Sequence, residues 1–202
     1  MRELSTVVLA SVSPRRFELL RSLGLRVEVQ RSDYEETELV GVSPPQVAAI
    51  HAQGKTLGVL SNCQSGIVIG ADTVVDVDGV AFGKPKDAAE AAGMLRLLSG
   101  REHLVHTAIY VADATNDRHF AHTASTAVRF FPLDEAAIAE YSASGEPLDK
   151  AGAYGIQGRA ALLVERIEGD FYTVMGFPLG AFARRLPELG YRIPLSSNEV
   201  PR

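Results

Sequence analysis

Two long extended runs, about 102–112 and 118–131, face each other across Thr115-Asn116-Asp117, and they restrict the fold more than any other feature of the chain. Each is roughly twice the usual strand length of about 5–6 residues, so together they read as an unusually long antiparallel pair. The first half of the chain carries a different pattern. Strand and helix signals alternate there, with a strand near 6–11, a helix near 14–23, a strand near 26–31, a helix near 44–60 and a strand near 67–71. Alternation of that kind predicts an α/β protein, and adding the long pair makes its β-sheet mixed and elongated, flanked by helices.

Local signals fill in the remainder. Asp78-Gly79 reads as a hairpin turn between Thr73–Val77 and Val80–Phe82. Asp87 followed by Glu90 predicts a capped helix through Met94, Leu95, Leu97 and Leu98 to Gly100. Asp134 is expected to cap a helix to about Ser144, Ala160–Ile167 reads as a strand, and Pro178 opens a last amphipathic helix ending near Gly190. The residues from Pro194 to Arg202 form a polar tail whose order the sequence does not fix. With 202 residues, 46% of them hydrophobic, the chain can bury one sizeable core or two small lobes. Neither an internal repeat nor a linker divides it, so 1–202 is expected to be a single domain.

Charge and cysteine content narrow the function classes. A formal net charge of −5 disfavours nucleic acid and anionic membranes as partners, since both call for a basic surface. No apolar run of about 18 residues and no signal-peptide pattern stand out, which predicts a soluble, cytoplasmic protein. The single cysteine, Cys63, permits no intramolecular disulfide and no multi-cysteine metal site, and its setting reads as a loop. His103 and His106 stand three positions apart on a strand, an odd step that points them to opposite faces and away from a shared metal.

Several segments place reactive side chains where a ligand could use them. In Leu9-Ala10-Ser11-Val12-Ser13-Pro14-Arg15-Arg16-Phe17, Ser13 is a good N-cap and Pro14 suits the first helical position, so Arg15 and Arg16 fall in the first turn. Cations at that end oppose the helix dipole by a few tenths of a kcal/mol up to roughly 1 each, and a bound phosphate would reverse the sign. The alternative is a pair of solvated surface arginines. In Ile67-Val68-Ile69-Gly70-Ala71-Asp72-Thr73 a carboxylate stands where a buried-type strand emerges past a glycine, the address of a metal ligand, a general base or a plain turn aspartate. Gly83-Lys84-Pro85 offers an ammonium to a phosphate near Asp72, without the spacing of a Walker loop. Asp33-Tyr34-Glu35-Glu36 supplies oxygen ligands of the kind Mg²⁺ accepts, or a solvated acidic loop. Lys55, on the helix after Pro44-Pro45, is by default a surface lysine. The stretch from Ser144 to Gly158 is glycine-rich, yet it bears two carboxylates, a lysine, an aromatic and an amide, a content that suits a binding loop. The three aromatics between Gly169 and Pro178 read as core or interface.

Taken in order, LASVSPRRFELL, GADTVV, GKP, SGEPLDKAGAYGIQG and GDFYTVMGFPL resemble the Maf family of nucleoside triphosphate pyrophosphatases, once described as septum-formation inhibitors. The resemblance spans residues 9–179. It implies an inosine-triphosphatase-like fold with two lobes around a cleft, commonly a homodimer, and hydrolysis between the α and β phosphates with a divalent metal, Mg²⁺ first and Mn²⁺ or Co²⁺ as alternatives. It further implies Asp72 as proton acceptor, Ser11, Arg16, Lys55 and Lys84 as phosphate contacts, and Glu36 with Asp72 on the metal side. Arg15, Thr73 and Gln157 match positions associated with substrate choice. SPRR, GADT and AGAYGIQG look like the branch acting on dTTP and UTP. A Gln amide, with one donor and one acceptor side, suits the O4 and N3–H edge of uracil or thymine. The same chemistry on 7-methyl-GTP or a non-standard purine triphosphate is the nearest alternative, and a non-catalytic regulator of septum formation is a second. One position departs from the family's Ala-x-x-Lys-Ala pattern: Gly54, just before Lys55, costs about 1 kcal/mol of helix propensity against alanine.

Overall fold

A computed structural model describes residues 1–195. In chain order its regular elements are β1 (Arg2–Glu3), β2 (Thr6–Leu9), α1 (Pro14–Ser22), β3 (Arg26–Val29), α2 (Pro44–Leu60), β4 (Ile67–Val77), β5 (Val80–Phe82), α3 (Ala88–Leu98), β6 (Glu102–Asp113), β7 (Arg118–Phe130), α4 (Glu135–Ala143), β8 (Val164–Glu168), α5 (Phe171–Met175), α6 (Leu179–Arg185) and β9 (Tyr191–Arg192). The principal sheet runs β3-β2-β4-β6-β7-β8, with β5 paired to β4. Its β2 is parallel to β3 and β4, and all other pairings are antiparallel. The protein is therefore α/β with a mixed sheet flanked by helices, and the long pair is β6 against β7, in register from Glu102↔Arg129 to Asp113↔Arg118.

Two hydrophobic cores form along the same strands. One gathers Leu9, Leu20, Ile67, Ile69, Ile109, Phe120, Phe177 and Phe182. The other gathers Val75, Leu95, Leu98, Val105, Val128, Phe130, Ile138 and Tyr154. Thus β4, β6 and β7 each give one end to each core. α2 lies over the middle of these strands, where Ala48 and Ala52 pack against Val74, Ala108 and Tyr110. Gly70 makes that approach possible, since a Cβ there would stand 2.3 Å from Thr56 Oγ1 and 2.5 Å from the Ala52 carbonyl oxygen.

Several sequence expectations need correction. Ile67–Ala71 and Thr73–Val77 are one continuous strand, so Asp72 sits in the middle of β4 and not at its exit. The strand expected at Ala160–Ile167 is shorter and later. Positive φ at Gly158 and a turn closed by Leu163 N–H to the Ala160 carbonyl make Gly158–Leu162 a 3-10 turn, and β8 starts at Val164. The last helix is also broken: α6 ends at Arg185, and Pro187, which has no N–H to give, leaves Leu186–Leu189 as a 3-10 turn. The aromatic segment before it contains the short α5, capped by Asp170 through the N–H groups of Tyr172 and Thr173. The tail, placed from Pro194, falls for the most part on residues 196–202, outside the described residues. The Asp87 and Asp134 caps form as read, accepting from Glu90 N–H and Ala137 N–H.

Candidate active site

The site lies at a gap in the sheet. On one edge of β4, β2 pairs with residues 67–69 and β5 with 75–77, and the stretch between them is left without a strand partner. The opposite edge is paired to β6 from Ile67 to Asp76, with Asp72 facing Ala108 in register and Thr73 facing Thr107. A rigid backbone thus presents Asp72 and Thr73 at an opening between the two cores. A cleft of about 1030 Å³ covers that opening, and all nine residues singled out from the sequence line it: Ser11, Arg15, Arg16, Glu36, Lys55, Asp72, Thr73, Lys84 and Gln157.

At its floor Asp72 is buried and bonded to Lys55, whose Nζ is 2.6 Å from Asp72 Oδ1 and 2.8 Å from Glu36 Oε1. Lys55 reaches this position because α2 runs unbroken through Gly54, so the weakened propensity there does not displace it. It is no surface lysine, its side chain being 13% exposed. Burial pushes the Glu36 carboxyl up, but the bond to Lys55 and the fields of His51 and Lys84 outweigh it and keep the group below the usual carboxylate range. Lys84 itself is exposed, at the end of the β5 hairpin.

Arg16 is fixed from three sides. Its Nε donates to the Gly176 carbonyl at 2.9 Å, Nη1 to Ser11 Oγ at 3.2 Å and Nη2 to Thr73 Oγ1 at 3.0 Å. Thr73 Oγ1 is in turn 2.9 Å from Thr107 Oγ1, which donates to the Thr173 carbonyl at 2.7 Å. A guanidinium has five N–H donors, so three bonds to protein leave two for a ligand. Burial lowers the Arg16 pKa, the Asp72 charge raises it and Arg15 lowers it again. Ser13 stands at the N-cap of α1 as read, but its hydroxyl makes no capping bond. The N–H groups of that first turn therefore have no side-chain acceptor at the cap, the condition that favours an anion.

Arg15 turns to the opposite wall, where Nη1 meets Asp149 Oδ2 at 3.2 Å. Lys150 Nζ bonds Asp149 Oδ1 and the Glu146 carbonyl, both at 2.6 Å. The dense loop from Ser144 to Gly158 is thereby ordered into 3-10 turns, and it presents Gln157, exposed, at the cleft. Sequence reasoning gave no individual role to Tyr34, His51, Asp149 or Lys150, all of which line the cleft. Asp149 and Lys150 lay inside the loop already marked by its composition. The Gly176 carbonyl had no signal at all, because a backbone atom leaves none. His103 and His106 have separate partners, Tyr154 for the first and Ser125 with Asp76 for the second.

Two carboxylates sharing one ammonium form a hard, all-oxygen donor set. That set fits Mg²⁺, which binds through one or two carboxylates and completes its shell with substrate phosphates and water. Among the described residues no group of three or more His, Cys, Asp or Glu gathers into a closed metal cage. No described helix is long and apolar enough to cross a membrane.

Comparison with known proteins adds to this geometry. The family model described as Maf-like protein matches residues 6–189. A dTTP/UTP pyrophosphatase of Pelotomaculum thermopropionicum is 43% identical over 187 residues, 93% of this chain and 98% of that protein. One of Bacillus velezensis is 46% identical, over 92% of this chain and 97% of its own length. One of Moorella thermoacetica is 47% identical, over 87% and 91%. Among solved structures, the Staphylococcus aureus Ham1 protein aligns at a TM-score of 0.45 and 16% identity, over 62% of this chain and 72% of that one.

Proposed function

The chain belongs to the Maf family, and on that premise we propose that it is a nucleoside triphosphate pyrophosphatase hydrolysing dTTP and UTP, or modified pyrimidine triphosphates, to the monophosphate and pyrophosphate. The observation that carries this reading is the Lys55 ammonium bonded to both Asp72 and Glu36 in the same cleft as Arg16 and Lys84. The names of the relatives agree with it.

Arg16, Lys55, Lys84 and Ser11 bind the triphosphate, with the open first turn of α1 assisting. Asp72 takes a proton from the water that attacks the α phosphorus, and the leaving group is pyrophosphate. Glu36 and Asp72 would hold a divalent cation, Mg²⁺ in the first instance, which would supply charge neutralisation on the phosphates. Catalysis is then positioning plus electrostatic stabilisation by groups fixed before the substrate arrives. Gln157 reads the O4 and N3–H edge of the pyrimidine, with Arg15 and Thr73 shaping that choice. A cytoplasmic location, read from the sequence pattern, and a homodimer, as the family resemblance implies, complete the proposal.

The test is pyrophosphate release from dTTP, UTP, CTP, 7-methyl-GTP, ITP and GTP with Mg²⁺, run beside Asp72→Asn. The expected result is turnover of dTTP and UTP that the variant nearly abolishes with its fold intact. Preference for a purine would keep the chemistry and overturn the base assignment. A variant that stays active would overturn Asp72 as proton acceptor.

A further inference from the structure

The loop between β3 and α2 carries Glu36, and its course follows one stripe of α2. His51, Gly54, Lys55 and Gly58 fall at i, i+3, i+4 and i+7, and so share a helix face. The Tyr34 ring fills the space a side chain on Gly54 would need: a Cβ there would stand 2.2 Å from Tyr34 Cε2 and 2.5 Å from Cδ2 and Cζ. One turn further, Ser32 Oγ occupies the corresponding space over Gly58, 2.5 Å from a Cβ placed there. Ser32 Oγ also accepts the Tyr34 N–H at 3.2 Å. The Tyr34 hydroxyl lies 3.0 Å from Nδ1 of the buried His51. Two residues after Tyr34, Glu36 meets Lys55.

Two glycines inside a helix cost about 1 kcal/mol each against alanine, so a helix containing both is weaker unless something uses the space. Here the space is filled by the segment that leads to Glu36. We propose that Tyr34, seated in the Gly54 notch and tethered to His51, is a positioning residue that keeps Glu36 against Lys55 and beside Asp72, and so sets how tightly the site takes a divalent cation with its nucleotide. The inference rests on the assignment of Glu36 to the metal side. Outer partners of this kind typically change metal affinity or activity by about 10- to 100-fold when removed.

The first test is a double-mutant cycle on kcat/KM for UTP. Tyr34→Ala is expected to lower it by about 10- to 100-fold and to raise the Mg²⁺ concentration giving half-maximal rate, while causing almost no further loss in a Glu36→Gln background. Tyr34→Phe keeps the ring in its notch and should retain most activity. Gly54→Ala expels the ring and should reproduce Tyr34→Ala, and the pair together should be no worse than either alone. Equal losses with and without Glu36, or no loss at all, would overturn the proposal. The second test needs no turnover: in a crystal structure of Tyr34→Ala, the Glu36 carboxylate should have left Lys55. Finding it still bonded to Lys55 overturns the proposal whatever the kinetics. If the unmodified protein releases pyrophosphate from no nucleotide, the functional reading fails on its own, and this crystal structure alone decides the seating.

Discussion

Arg15 Nη1 lies 3.2 Å from Asp149 Oδ2 and ties the start of α1 to the loop that carries Gln157, 134 residues further along the chain. The pair is half open to water, with side-chain exposures of 30% and 59%, so it adds no more than about 1 kcal/mol to stability. Its effect should appear in recognition instead. Asp149→Ala is expected to leave the urea midpoint nearly unchanged while narrowing the preference for UTP over CTP in kcat/KM. Arg15→Ala and Gln157→Ala should move the same ratio. Uniform loss on every nucleotide would show that this wall takes no part in base choice.

Arg16→Lys should be far from conservative. An ammonium cannot reproduce a planar fork that reaches Ser11, Thr73 and the Gly176 carbonyl at once. We expect kcat/KM to fall by about 10²–10³, with a stability loss of about 1–3 kcal/mol from the groups left unpaired. Stopped-flow turnover and denaturant melts measure the two separately.

Gly70→Ala tests the contact between helix and sheet. The added methyl meets Thr56 Oγ1 and the Ala52 backbone, and α2 must move off β4 to admit it. Overpacking of this kind costs about 1–3 kcal/mol, which a urea titration resolves. Since α2 also carries Lys55, activity should drop further than the lost stability alone explains.

His103 makes stability depend on acid. Burial pushes its pKa from an ordinary 6.5 down to about 4, and among the described residues its Nδ1 has no hydrogen-bond partner. Above pH 6.5 the imidazole is neutral in both folded and unfolded chains and adds no pH dependence. As pH falls from 6.5 towards 4 the unfolded chain takes up a proton that the folded one refuses, and stability declines by about 3 kcal/mol over that window. Urea unfolding at pH 7.5, 6 and 5 should show this slope in the unmodified protein and a shallower one in His103→Gln.

Where the sequence was readable, the reason was local. Asp87, Asp134 and the Asp78-Gly79 turn act on backbone atoms within three residues, so their signals are contained in a short window. The residues that line the cleft were marked one motif at a time, and the cleft that unites them is set by pairing between strands far apart in sequence. Asp72 shows the limit clearly. A glycine before an aspartate suggested a strand end, whereas β4 continues through it, and the opening comes from where β2 stops and β5 begins. Gly54 was legible only as a weak point in a helix. Its use depends on Tyr34, twenty residues earlier, and helix propensity holds no information about such a partner.

The three strands common to both cores bear on how the cleft accommodates its contents. Halves joined by a linker can swing about it, but here β4, β6 and β7 pass through both as one hydrogen-bonded slab. Such a slab behaves as a beam. Rotation of one half against the other would shear ladders of ten and twelve paired residues, so the cleft floor keeps its dimensions whatever lies upon it. The segment that bears Glu36 is held to α2 as well, by Tyr34 over Gly54 and Ser32 over Gly58, so adjustment to a longer or shorter occupant is left to the wall without long strands, the loop around Asp149. On the reading proposed above, a nucleotide would meet a fixed bed, Thr73 included, and a movable rim that carries Gln157.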